Sequence, residues 1–194
     1  MSSEIELKLR VDEFESVRAA LRAAGGQYIG RGLEENLFFD SPDQRLNRAG
    51  MGLRLRTFQS DDGSARASIL TVKGTGGSAE IKRRDEVETR VDDAQATERL
   101  LNLLGFTRVL RYEKRRESWS LDECRVELDE PPHIGLFVEI EGPDEQGIRA
   151  VQARIGLGAA AAATSTYVAM MAAYCKQQEL APCDVRFTIA RRII

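Results

Sequence analysis

Residues 4–11, EIELKLRV, alternate without a break. Ile5, Leu7, Leu9 and Val11 fall on one face; Glu4, Glu6, Lys8 and Arg10 fall on the other. That period of two is the signature of a strand with one buried face. Further strands are predicted at about 27–39, 52–58, 66–73, 86–91, 107–119, 123–129 and 137–141, with a turn cluster at Asp40-Ser41-Pro42-Asp43. A strand-then-helix unit recurs. Asp12 opens a helix carrying Phe14, Val17 and Leu21 that stops at Gly25-Gly26. Asp92 opens one through Leu100, Leu101 and Leu104 that stops at Gly105, and Asp144 opens a third that stops at Gly156. A last helix is predicted over roughly 160–178, with Tyr167, Met170, Met171 and Tyr174 on its apolar stripe. One more strand, Val185 to Ile189, is predicted in the tail. The strands mostly follow one another without strict strand-helix alternation. The pattern therefore predicts an α+β fold, an antiparallel sheet with helices packed outside.

The polar faces of these strands are sorted by charge. Glu4-Ile5-Glu6, Glu86-Val87-Glu88 and Glu139-Ile140-Glu141 each set two carboxylates on one face, and Glu127-Leu128-Asp129 repeats the arrangement. Arg54 with Arg56, Lys114 with Arg116, and Thr71 with Lys73 pair the same way, and Lys8 shares a face with Glu4 and Glu6. The plain reading is the solvated face of an antiparallel sheet. Against it, like charges side by side repel, and a solvated face usually mixes its polar residues. A barrel could enclose such faces in a polar lumen. There, carboxylates suit a hard divalent cation, and Arg and Lys suit phosphate oxygens. The implied ligand is a metal-bound polyphosphate.

Composition narrows the classes. The chain has 194 residues, 42% hydrophobic and 30% charged, which suits one soluble globular domain. A net charge of −3 leaves no basic excess for a nucleic-acid surface, although one small basic pocket is compatible with it. No stretch is long and apolar enough to span a bilayer, and the opening residues lack a signal-peptide pattern. The expectation is a cytoplasmic protein with no membrane partner. Cys124, Cys175 and Cys183 show no metal-ligand spacing and read as reduced structural thiols. The single histidine, His133, excludes a zinc site or triad built on several histidines. Residues 74–79 are small and glycine-rich but lack the lysine of a phosphate loop; they suit a loop over a pocket or a surface hairpin.

Taken in order, Glu4-x-Glu6-x-Lys8, Arg54-x-Arg56, Thr71-x-Lys73-Gly74, Glu86-x-Glu88, Lys114-x-Arg116, Asp129 and Glu139-x-Glu141 resemble the pattern of the CYTH superfamily. That superfamily joins class IV adenylyl cyclases and thiamine triphosphatases and is also called the triphosphate tunnel metalloenzymes. The resemblance covers about residues 2–174; it places one domain over 1–178 and leaves 179–194 as a tail without an assigned role. It implies an eight-stranded antiparallel barrel forming a tunnel, a triphosphate substrate, Mg²⁺ or Mn²⁺, and a possible homodimer. By the same resemblance, Glu4, Glu6, Asp129, Glu139 and Glu141 look like metal-side residues. Lys8, Arg54, Arg56, Lys73, Lys114 and Arg116 look like triphosphate ligands, with Lys73 or Lys114 acting on the leaving oxygen. Glu86, Glu88 and Glu127 are further tunnel acids whose role is left open. Thr166-Tyr167 stands where many members have Ser-Tyr. Phe38-Phe39-Asp40 departs from the pattern, since many members carry a tyrosine in this stretch, and this speaks against a specialised thiamine triphosphatase. The expected activity is metal-dependent triphosphate hydrolysis. The alternatives are cyclisation of ATP by a class IV adenylyl cyclase and a non-catalytic polyphosphate-binding module.

Overall fold

The unbroken alternation at the N-terminus forms β1 (Ser2–Val11), and it is followed by α1 (Glu15–Ala23) and β2 (Gln27–Asp40). The computed structural model describes residues 2–74 and 80–187, without the side chains of residues 2–4, 83 and 84. The glycine-rich stretch 75–79 and residues 188–194 of the tail lie outside the described residues. A single-turn helix, α2 (Arg45–Arg48), precedes β3 (Gly52–Ser60), β4 (Arg66–Lys73) and β5 (Ile81–Val91). Then come α3 (Ala94–Leu103), β6 (Thr107–Leu121), β7 (Cys124–Glu130), β8 (Leu136–Glu141), α4 (Glu145–Arg154), α5 (Tyr167–Gln177) and β9 (Asp184–Val185).

The strands pair in the order β2-β3-β4-β5-β1-β8-β7-β6, and β6 pairs back onto β2. Eight antiparallel strands thus form a closed cycle, which removes their exposed edges. Closure turns the sheet inside out relative to an ordinary half-buried sheet. The apolar face of β1, β7 and β8 (Ile5, Leu7, Leu9, Val126, Leu128, Val138, Ile140) points outward and is covered by Val17 and Leu21 of α1 and by Ile148 and Val151 of α4. Leu37, Phe39, Leu53 and Leu55 are covered by Leu101 of α3. The charged face is left inside the barrel. Paired residues in an antiparallel ladder share a face. The registers Lys8↔Glu139, Glu127↔Glu139, Arg116↔Asp129, Glu34↔Lys114, Arg54↔Thr71 and Lys73↔Glu86 therefore place one ring of charged and polar side chains within the lumen.

The repeated strand-helix unit is present as β1–α1, β5–α3 and β8–α4. Each of these helices ends at a glycine in the left-handed region, a backbone conformation that other residues adopt only at a cost: Gly25 (φ +83°), Gly105 (φ +86°) and Gly156 (φ +76°). Two start residues differ from the expectation. Asp93, not Asp92, caps α3 by accepting from Ala96 N, and α1 starts after Glu13, whose carboxylate accepts from Ser16 N, rather than at an Asp12 cap. Asp144 caps α4 as predicted.

The last helix is shorter than its apolar stripe predicted. It begins at Tyr167, because residues 161–163 run as an extended segment along β1. Ala163 N donates to Lys8 O at 2.8 Å and Arg10 N to Ala161 O at 3.2 Å. The edge of β1 needs that partner: its ladder with β5 ends at Leu7, and unpaired backbone groups would otherwise remain. α5 then packs Tyr167, Met171 and Cys175 against Leu110, Tyr112 and Phe137. Tyr112 and Phe137 alternate with Lys114 and Glu139 on the lumen face, so α5 covers one mouth of the barrel rather than its outer wall.

The three cysteines are not all reduced. Cys175 and Cys183 form a disulfide, their Cα atoms 5.6 Å apart, while Cys124 is a buried free thiol. The chain reverses after α5, which brings positions eight residues apart within bonding reach. The predicted tail strand is limited to β9, which pairs parallel with Arg111 and Tyr112 of β6 beyond the point where β7 ends. Val185 is buried there. No helix among the described residues is long and apolar enough to cross a membrane.

Candidate active site in the barrel lumen

The lumen side chains are buried charges, which excludes the solvated-face reading. Lys8 and Lys114 are each 3% exposed, Glu34 2% and Asp129 0%. Charges this deep persist only when paired, and the lumen is a network of pairs. Lys114 Nζ lies 2.9 Å from Asp129 Oδ2 and 3.4 Å from Glu34 Oε1. Arg116 grips Asp129 with two parallel hydrogen bonds, Nε to Oδ1 at 2.7 Å and Nη2 to Oδ2 at 2.6 Å, and its Nη2 also reaches Glu139 Oε2 at 2.6 Å. Lys8 Nζ is 3.3 Å from Glu139 Oε1. Across the ring, Lys73 pairs with Glu86 at 2.9 Å, Arg54 with Glu86 at 3.7 Å, and Arg56 with Glu34 and Glu88, each at 3.7 Å.

The strand cycle sets who faces whom. β3 and β4, carrying Arg54, Arg56 and Lys73, stand opposite β8 and β7, carrying Glu139, Glu141, Glu127 and Asp129. The separation into an acidic and a basic wall is incomplete, because Lys114 and Arg116 on β6 adjoin the acidic strands and Glu34 stands beside the basic ones. The cavity between them has a volume of about 590 Å³. Its inner part is lined by Glu6, Lys8, Arg54, Arg56, Lys73, Lys114, Arg116 and Glu139. Its outer part is apolar, with Phe38, Met51, Val109 and Val168 at the rim beside the amides of Gln44 and Asn47.

Electrostatics follow from the pairing. Burial opposes the charge on Glu34, but Lys114, Arg116, Arg56 and Arg54 outweigh it and hold the carboxyl well below the usual range. Glu139 is likewise held low: burial opposes its charge, and Lys8, Lys114 and Arg116 outweigh burial. Arg56 moves the other way, its charge disfavoured by burial and by neighbouring Arg54. Such a guanidinium has most to gain from an incoming anion. Two lumen atoms, Asn36 Oδ1 and Arg54 Nε, are buried without a hydrogen-bond partner among the described residues, and Arg54, which lines the cavity, has an N–H there for an incoming anion to accept from.

Depressed carboxyl pKa values fix the sign of an acid effect. Glu34 and Glu139 contribute stability that is fully present above the unfolded carboxyl pKa of about 4.3 and is lost as pH falls toward their lower folded values. Melting temperature should hold between pH 5 and 7 and decline below about pH 4. Glu34→Gln should show a shallower decline, whatever its melting temperature at neutral pH. Identical acid slopes in thermal melts of the two proteins would refute this role for Glu34.

The structure brings together most of the predicted residues. Lys8, Arg54, Arg56, Lys73, Lys114, Arg116, Glu86, Glu127, Asp129 and Glu139 all belong to the network, and Glu6 lines the cavity. Glu88 pairs with Arg56 from an exposed position, and Glu141 is exposed at the end of β8. Glu4 takes its place in β1 opposite Arg84, with its side chain outside the described residues. Asp129, expected on the metal side, is surrounded by donors: Lys114, Arg116 and the hydroxyl of Tyr167 at 3.0 Å. Glu127 accepts from Ser118 and Arg125. Three lumen residues were not anticipated. Glu34 and Asn36 hide behind the outward-facing Glu35, which blurs the alternation of β2. Lys82, opposite Glu6, precedes the acid pair that marked β5.

The carboxylates of Glu6, Glu139 and Glu141 lie on the same face of adjacent strands and are hard oxygen donors, which suits Mg²⁺ or Mn²⁺ in kind. Among the described residues no three acids are gathered closely enough to form a ready-made metal site.

Comparison with known proteins agrees with this architecture. A profile of the CYTH domain matches residues 2–153. Adenylate cyclase CyaB of Aeromonas hydrophila is 28% identical over 174 residues, covering 84% of this chain and 86% of its own. The PH1012 protein of Pyrococcus horikoshii superimposes with a TM-score of 0.71 at 25% identity, covering 85% of this chain and 97% of its own. The putative adenylyl cyclase HpAC1 of Hippeastrum, a protein with a dominant triphosphatase activity, superimposes with a TM-score of 0.67 at 17% identity, covering 94% of this chain and 99% of its own.

Proposed function

The chain belongs to the CYTH domain family, and we propose that it is a divalent-metal-dependent enzyme that hydrolyses a triphosphate bound in the barrel lumen. The observation that carries this reading is the lumen itself: six cationic side chains, Lys8, Arg54, Arg56, Lys73, Lys114 and Arg116, line one cavity together with Glu6 and Glu139. A triphosphate is the anion class whose charge and length match such a cage.

In this reading, Arg54, Arg56 and Lys73 grip phosphate oxygens from one side while Lys8, Lys114 and Arg116 do so from the other. Phosphate oxygens take over cations now paired with Glu86 and Glu34, so binding exchanges one set of ion pairs for another and the empty lumen stays neutral enough to fold. Lys73 or Lys114 stabilises charge on the leaving oxygen, as phosphoryl transfer requires. Glu6, Glu139 and Glu141, with Glu4, would hold Mg²⁺ or Mn²⁺, which when bound supplies Lewis-acid charge and orients the attacking water. Asp129 acts on the bases and keeps Lys114 and Arg116 aimed into the cavity.

A second reading, cyclisation of ATP to cyclic AMP and pyrophosphate, is favoured by the apolar rim. Phe38, Met51 and Val109 with Gln44 and Asn47 could receive a base, a feature that inorganic triphosphate would not need. The name of the Aeromonas relative points the same way, and the activity of the Hippeastrum protein points to hydrolysis. Product analysis decides. Purified protein is incubated with Mg²⁺ or Mn²⁺ and ATP, inorganic triphosphate or thiamine triphosphate. Orthophosphate is the expected product; cyclic AMP with pyrophosphate would replace hydrolysis by cyclisation. Binding without turnover under either metal would leave only a polyphosphate-binding module.

A further inference from the structure

Tyr167 is the first residue of α5 and lies outside the barrel strands, yet its ring sits at the centre of the charged network. Its hydroxyl donates to Asp129 Oδ2 at 3.0 Å. Lys8 Nζ lies 3.8 Å from its ring centroid and Lys114 Nζ 4.9 Å. The ring is fixed in turn by edge contact with Phe137 at 5.3 Å and a tilted contact with Tyr112 at 6.5 Å. Burial raises the phenol pKa well above its ordinary value, and the carboxylates of Asp129 and Glu139 add to this, so the ring stays neutral.

We propose that Tyr167 is a positioning residue that holds the ammonium groups of Lys8 and Lys114 for the triphosphate, an inference resting on the lumen reading above. The two ammonium groups lie 3.8 and 4.9 Å from one ring centroid, while Glu139 and Asp129 draw them toward the wall. An aromatic ring attracts both cations through its negative face without neutralising either. It thereby holds both charges at the ring and open to the cavity. A carboxylate in the same place would compete with phosphate for them. Packing against Phe137 and Tyr112 sets the depth of the ring, and the hydroxyl bond to Asp129 adds to it. The helix that carries it is itself anchored, by the Thr166 cap at one end and by the Cys175–Cys183 bond to the tail at the other. Cover and cation pair thus form one unit.

The test separates ring from hydroxyl. Tyr167→Phe keeps the ring and removes the hydrogen bond; Tyr167→Leu removes the ring. Calorimetric titration with inorganic triphosphate should show binding within about threefold of wild type for Tyr167→Phe and at least tenfold weaker for Tyr167→Leu, a loss of about 1.4 kcal/mol. The turnover of Tyr167→Leu should fall mainly through a raised KM. If wild type binds triphosphate and the folded Leu variant binds it equally well, or the Phe variant loses as much as the Leu variant, the positioning role is wrong while the lumen reading stands. If wild type itself does not bind inorganic triphosphate, both fail.

Discussion

Replacing Arg116 with alanine is expected to lower kcat/KM for triphosphate by about 10³ and to destabilise the fold by about 3 kcal/mol. Both effects come from one position. Arg116 binds Asp129 through two hydrogen bonds and Glu139 through a third, and Asp129 is fully buried. Truncation removes the cation these two carboxylates share and leaves Asp129 to Lys114 and Tyr167 and Glu139 to Lys8. For a chain of this size, the stability loss corresponds to a melting temperature lower by about 6–12 °C. Lysine at this position restores the charge but not the fork, so Arg116→Lys should recover stability partially and turnover poorly. Thermal melts and steady-state kinetics on the same preparations check both parts. A folded Arg116→Ala protein with near-wild-type kcat/KM would remove Arg116 from the site.

The charge pattern of the strands was legible because alternation in a strand has only two faces. Glu4, Glu6 and Lys8, or Arg54 and Arg56, must share a face once the segment is a strand, whatever the remaining fold. The direction of that face was not legible from one strand. Ile5, Leu7 and Leu9 serve equally as the inside of a sandwich or the outside of a barrel under helices, and only the return of β6 onto β2 decides. Glu34 escaped notice because Glu35 beside it faces outward to Arg111, so two adjacent acids hide the period. The early start given to the last helix had a similar cause. The alanine-rich run before Tyr167 favours helix locally, but the open edge of β1 takes residues 161–163 as an extended partner. Local propensity gave way to an unsatisfied backbone. The disulfide was illegible for a different reason: eight residues separate the two cysteines, and nothing in that spacing shows that the chain doubles back after α5.

Glu139→Gln and Glu141→Ala are each expected to lower metal-dependent turnover by about 10² or more, while the proteins remain folded. Glutamine retains the size of Glu139 and loses the charge that suits a divalent cation. Removal of this carboxylate also frees Lys8 and Arg116 from one partner, so triphosphate affinity without metal should not fall. The signature is therefore a split: weakened dependence on Mg²⁺ or Mn²⁺ with retained binding of the anion. Glu141 is exposed at the strand end, and its alanine variant should melt within a few degrees of wild type. Full activity in both variants would contradict the metal-side assignment.

The central claim is that the lumen is a cage for a triphosphate chain, and calorimetric titration of inorganic triphosphate tests it most directly. The wild-type protein should bind one triphosphate saturably, more tightly with Mg²⁺ present, and binding should be lost when Arg54 and Arg56 are both replaced by alanine. Absence of saturable binding by the wild type, or undiminished binding by the folded double variant, would contradict the account.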